Sequence, residues 1–186
     1  MIRILMHVCC APCFVAPYYH LKNDYDITTF WYNLNIHPVA EYINRRDCLR
    51  DFVRREEILY IEEDEYGLIP FLDNTYKNID SRCYYCYYDR LNFTAIKAKQ
   101  EGYDYFSTSL LYSKFQNHDL IKEIASEIAN IYQIEFFYKD FREFWKVGID
   151  LSKEQNMYRQ HYCGCIFSEM ERYTNVIKFP TLNKRM

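Results

Sequence analysis

The stretch IRILMHVCCAPC, residues 2–13, decides how the chain folds. Residues 2–8 are apolar and rich in β-formers. They lack the polar alternation of a half-exposed strand, so they predict a buried strand. The run then closes on two adjacent cysteines, Cys9 and Cys10, with Cys13 three residues later. Neighbouring cysteines in one chain are poorly placed to bond each other. Three thiols at a strand end therefore point to a demand for sulfur ligands rather than for core filling.

Beyond this stretch the pattern alternates. A helix over about 14–22 precedes a strand over 26–32, and NLNIHP forms a loop after that strand. A charged helix runs from Val39 to Glu57, and a short strand follows over 58–63. Residues 64–82 read as irregular; the helix that begins at Cys83 is closed by Gly102. A strand over 105–111 leads to an amphipathic helix over 118–133, with Leu120, Ile121, Ile124, Ile128 and Ile131 as its apolar stripe. A strand over 134–138 and a helix over 140–157 come last, with HYCGC in a loop. This order predicts an α/β fold: a single Rossmann-like domain over 1–186, with a mostly parallel, about five-stranded sheet and helices on both faces. Ligands in such sheets bind beyond the carboxyl ends of the strands. The loops HVCCAPC, NLNIHP and STSLLYSKFQNH would all meet there.

The 186 residues carry 26 acidic and 23 basic side chains, a net charge of −3, so no global affinity for polyanions follows. No long apolar run and no signal-peptide pattern is present, which predicts a cytoplasmic protein without membrane contact. Twenty tyrosines and thirteen phenylalanines make a heavy aromatic load. Most belong to packing, and some can stack on a planar ligand.

Of the eight cysteines, Cys48 stands alone in a charged helix. The others form three groups: Cys9, Cys10 and Cys13; Cys83 and Cys86 (CYYC); Cys163 and Cys165 (CGC). A structural zinc site takes four ligands, and a [4Fe–4S] cluster takes at most four thiolates. Either leaves cysteines over, which suggests a cluster plus a second metal, or a cluster plus redox-active thiols. A zinc knot and a dithiol redox pair are the simpler alternatives. Gly164, between two thiols, lets the backbone bend tightly.

HVCCAPC, RCYYCYYDRL and YCGC, in that order, resemble the QueH family of epoxyqueuosine reductases. WYNLNIHPVAEYINR, TAIKAKQEGYDYFSTSLLYSKFQNH and YRQHYCGCIFS extend the similarity over about positions 3–168. The resemblance implies a cobalamin-independent oxidoreductase. Such an enzyme reduces epoxyqueuosine to queuosine in tRNAs with GUN anticodons, the last step of queuosine biosynthesis. It also implies a [4Fe–4S] cluster with an adjacent mononuclear metal, iron, held by cysteines and in some members by an aspartate. That aspartate falls where this chain has Cys13.

On this reading Cys9, Cys10, Cys13, Cys83, Cys86, Cys163 and Cys165 divide between two metal sites, fed by an unidentified electron donor. Tyr112, His118 and His161 are the candidate proton donors. Asn33, Asn35, Glu41, Arg90, Ser113 and Gln116 match polar positions of the family motifs and are the candidate substrate contacts. Arg46, Arg50 and Arg54 share a helical face that can meet tRNA phosphates, or simply face solvent among its acids. Arg159 and the tail NKRM are further basic candidates.

Two competing functions are a zinc-stabilised RNA-binding module and an iron–sulfur tRNA sulfur-transferase of the ATP-pyrophosphatase type. The first predicts stoichiometric zinc and no redox chemistry. The second needs a glycine-rich phosphate loop after the first strand, where CCAPC stands instead.

Overall fold

A computed structural model describes residues 1–176; the basic tail NKRM lies outside the described residues. Five parallel strands form one sheet in the order β3-β2-β1-β4-β5. They are β1 (Ile2–His7), β2 (Tyr25–Trp31), β3 (Tyr60–Glu62), β4 (Tyr105–Thr108) and β5 (Glu135–Phe136). β1 is the central strand, pairing with β2 on one side (Met6 opposite Thr29) and β4 on the other (Met6 opposite Ser107). A strand covered on both faces has no polar side to show. Ile4, Leu5, Met6 and His7 are accordingly all fully buried.

The helices are α1 (Ala11–Leu21), α2 (Val39–Arg55), α3 (Leu68–Thr75), α4 (Arg82–Gln100), α5 (His118–Tyr132), α6 (Trp145–Glu154) and α7 (Ile166–Tyr173). Helix α1 packs on α2 and α6, while α4 packs on α5 and on β1 and β4. With right-handed crossovers, this puts one group of helices on each face of the sheet.

Five local features differ from the sequence-based expectation. Helix α1 begins at Ala11 rather than near residue 14, because Pro12 is suited to a first helical turn. Cys10 thereby becomes the N-cap, and Cys13 lies in the first turn. The stretch expected to be irregular contains α3, an eight-residue helix that buries Phe71. Helix α7 follows HYCGC unannounced, with the Cys165 sulfur accepting from Ser168 N at its first turn. In α5 the buried stripe is Ile121, Ile124 and Ile128, whereas Ile131 is 61% exposed. The expected helix over 140–157 is a 3₁₀ turn over Phe141–Phe144 followed by α6.

The reversal of strand order falls between β1 and β4, where two neighbouring crossovers leave in opposite directions. That crevice is the one a ligand site favours. Cys9 N donates across it to Ser109 Oγ at 3.2 Å.

Candidate active site and metal centre

His7 ties the three loops together. It is fully buried at the end of β1, with Nδ1 3.0 Å from Thr108 Oγ1 and Nε2 3.2 Å from Asn33 Oδ1. Asn33 Nδ2 donates to Val8 O at 3.0 Å, so the Asn33 oxygen faces the ring and His7 Nε2 carries the proton. Burial, aided by the Arg90 charge, lowers the His7 pKa to about 3, so the ring is a neutral tie.

On this frame the Cys9, Cys10 and Cys13 sulfurs lie within 4.8 Å of one another, and all three residues are buried. Hydrogen bonds from Cys10 and Cys13 hold the Cys9 thiol well below its usual range, whereas burial pushes Cys10 well above it. The triad sits beside the N-terminus of α1, where backbone N–H groups favour a thiolate. Donors converge on the sulfurs. Gln160 Nε2 is 2.9 Å from Cys10 Sγ and 3.3 Å from Cys13 Sγ, and Ser109 Oγ is 3.6 Å from Cys9 Sγ.

The second group is Cys83, Cys86, Cys163 and Cys165. Cys86 and Cys165 are buried in an apolar cluster with Phe71, while Cys83 and Cys163 are exposed. Burial raises the Cys83 and Cys86 thiol pKa values, and proximity to Cys163 and Cys165 raises them further. Three of the four sulfurs receive an N–H. Arg90 Nη2 donates to Cys86 at 2.9 Å, Gln116 Nε2 to Cys163 at 3.1 Å, and Ser168 N to Cys165 at 3.4 Å. Arg90 is 2% exposed and has no carboxylate partner among the described residues. A buried guanidinium without a counter-charge is costly, so the neighbouring sulfurs are its natural anions. The buried, donor-lined and unbridged sulfurs of Cys9, Cys10 and Cys13 are close enough together to hold one thiophilic metal.

A cavity of about 610 Å³ opens between the groups, with Cys9 and Cys13 on one wall and Cys163 on another. Among the candidate residues, Tyr112, Ser113, Gln116 and His161 also line it. Tyr112 stacks on Trp145 at 5.2 Å and donates to Trp145 O at 2.8 Å. Burial, then the Cys13 and Cys10 charges, raise its pKa, so it keeps its proton. A Cβ at Gly148 would sit 2.3 Å from Tyr112 Oη, so only glycine leaves this seat open. His118 heads α5, buried and outside the cavity, with both ring nitrogens unpartnered among the described residues.

Residues 4–171 match the family model described as epoxyqueuosine reductase QueH. The chain belongs to the epoxyqueuosine reductase QueH family. Its QueH relatives include a Thermotoga maritima protein, 37% identical with 91% of each chain covered. Another, from Dehalococcoides mccartyi, is 34% identical, covering 92% of this chain and 94% of that one. Both are named epoxyqueuosine reductase QueH. Among solved structures, one described as a predicted subunit of tRNA methyltransferase from Methanocaldococcus jannaschii shares the fold. Its TM-score is 0.52 at 10% identity, covering 87% of this chain and 94% of that one.

Within this QueH chain, three of the substrate-contact candidates are engaged by the protein's own side chains and backbone. Asn33 is spent on His7 and Val8, and Arg90 on Cys86. Glu41 accepts from Arg45 Nε at 2.7 Å and from the Tyr158 hydroxyl. Asn35 is buried beside Gly164 with its Oδ1 unpartnered. The sequence reading passed over Arg45 and Gln160. Arg45 is 1% exposed and donates to Cys163 O and Tyr162 O, each at 2.9 Å, which fixes the CGC loop. Its one signal was the Glu41–Arg45 i, i+4 spacing. Gln160 carried none, because only the fold brings it to Cys10 and Cys13. Cys48 lies in a separate surface groove beside Asp51 and Tyr158.

Proposed function

We propose that this chain is an epoxyqueuosine reductase acting on tRNA. It removes the epoxide oxygen of epoxyqueuosine with two electrons and two protons, giving the alkene of queuosine and water. The observation that carries the reading is the single cavity lined at once by Cys9 and Cys13 and by Cys163. A base held there touches both sulfur groups.

Cys83, Cys86, Cys163 and Cys165 would supply thiolates for a [4Fe–4S] cluster, and Cys9, Cys10 and Cys13 would hold the adjacent iron. Bound there, these groups would supply electrons one at a time and a Lewis acid for the epoxide oxygen. The chain's own side chains do the rest. Ser113 orients the base from the cavity wall, where Gln116 donates to the Cys163 sulfur. Tyr112 and Trp145 form an aromatic side that excludes water. The Tyr112 hydroxyl is committed to Trp145 O, and His118 lies outside the cavity, so the proton donor is His161. The sulfur-transferase reading has no room for a phosphate in the turn after β1, which buried Cys9 and Cys10 fill.

The test is anaerobic purification with metal analysis, then incubation of chemically reduced protein with epoxyqueuosine-bearing tRNA and mass spectrometry of the nucleosides. More iron than one cubane holds, with conversion to queuosine, supports the reading. Stoichiometric zinc alone, or no conversion by iron-replete protein, overturns it.

A further inference from the structure

A cavity of about 610 Å³ has the size of a small-ligand site, so it takes one nucleoside and not an RNA strand. The flanking nucleotides must lie across its rim. The rim contrasts with the rest of a chain whose net charge is −3. Lys114, Arg159 and Arg172 are exposed there and have no ion-pair partner among the described residues. Arg159 and Arg172 line the cavity, and Lys114 Nζ lies 5.7 Å from the ring of Trp145, which also lines it. The acid on the lining, Glu171, is already paired with Arg82. The α2 face is the opposite case: Arg46 pairs with Asp47 and Asp64, Arg50 with Glu62 and Asp64, and Arg54 with Asp51. Its cations are neutralised where a phosphate would need them free.

Phe115 stands on the same rim, 83% exposed, with its ring edge-on to Trp145 at 5.7 Å. Its backbone is held in a turn, with Phe115 N donating to Ser113 Oγ at 3.2 Å. Enzymes that act on a base draw it out of its stack, which strips its neighbour of a stacking partner. An exposed aromatic face beside the cavity replaces that partner.

We propose that this rim is a single-stranded RNA platform. Phe115 stacks on a nucleotide flanking the reacting base, while Lys114, Arg159 and Arg172 hold the adjoining phosphates. The inference rests on the epoxyqueuosine reductase reading and locates its RNA contact away from α2.

The test is fluorescence anisotropy of iron-replete protein with a labelled anticodon stem-loop and with a blunt RNA duplex of equal length. Phe115→Ala weakens stem-loop binding about tenfold, and Phe115→Trp restores it. Lys114→Ala, Arg159→Ala and Arg172→Ala each lower the slope of log affinity against log salt by about one. The Arg46→Ala/Arg50→Ala/Arg54→Ala variant binds as the wild type does. Wild-type affinity in Phe115→Ala, equal affinity for the duplex, or loss of binding in the α2 variant overturns the platform. Binding is read without turnover. Stem-loop binding with no conversion therefore sinks the enzymatic reading and leaves the platform standing, while conversion with the wrong binding pattern does the reverse.

Discussion

Gln116 shows how one side chain is aimed. Tyr87 Oη accepts from Asn117 N at 3.2 Å and donates to Gln116 Oε1 at 2.7 Å, which leaves the Gln116 N–H to point at Cys163. Hydrogen bonds to sulfur favour the more negative, reduced state of a cluster. Gln116→Ala should therefore lower the midpoint potential of the reconstituted centre, and Tyr87→Phe should lower it less; a spectroscopic redox titration reads both. Cys48 makes the opposite prediction. It is half-buried on α2, away from both sulfur groups. Cys48→Ser should keep full iron content and activity, and a loss of either would mean the cysteines are wrongly divided.

At the scale of elements, the site depends on short pieces that clasp the HYCGC loop. Arg45 of α2 holds its carbonyls, and His37 joins the loop after β2 to the start of α7. His37 Nε2 donates to Leu34 O at 3.0 Å, and Nδ1 accepts from Ile166 N at 3.3 Å. The ring must be neutral to accept, and burial lowers its pKa from 6.5 to about 4. The unfolded chain therefore takes up this proton first as pH falls. The stability due to neutral His37 is full above about 6.5 and is lost progressively down to about 4, a difference of about 3 kcal/mol. Urea denaturation at stepped pH should show that slope, and His37→Gln should make it shallower, leaving the part due to buried His7, whose pKa is likewise lowered. A wild-type curve flat across that window would remove His37 from this role. The elements themselves were unequally legible. The long β1 run and the amphipathic α5 carry strong patterns. α3 and α7 have eight residues each and owe their existence to what they bury or cap, Phe71 in one and the Cys165 sulfur in the other.

Across the whole molecule, the buried charges lack balance until sulfur supplies it. Arg90 is enclosed with no carboxylate partner among the described residues; it donates to Cys86 of α4, and Cys9 of the β1 turn and Cys163 of the CGC loop act on it electrostatically. Metal loading deprotonates those thiols and binds only the folded arrangement. Reconstituted protein should melt about 5–10 °C above the metal-free protein, taking a few kcal/mol spread over a chain of this size. Equal melting temperatures in calorimetry would show that the sulfurs balance Arg90 without metal. The sequence alone determined the parallel α/β order, the three cysteine motifs and the family. These are local periodicities and spacings, set within a few residues of one another. Only the tertiary structure decided that the sulfurs of Cys9, Cys10 and Cys13 gather within 4.8 Å and that one cavity is lined by Cys9, Cys13 and the distant Cys163. It also decided that Gln160 reaches the triad and Arg45 the CGC loop, and that Arg46, Arg50 and Arg54 are paired with acids while the rim's cations have no acidic partner among the described residues. Those are distances between side chains as much as 150 positions apart, as with Gln160 and Cys10. Such distances exist only once the sheet has brought the strand ends to one edge.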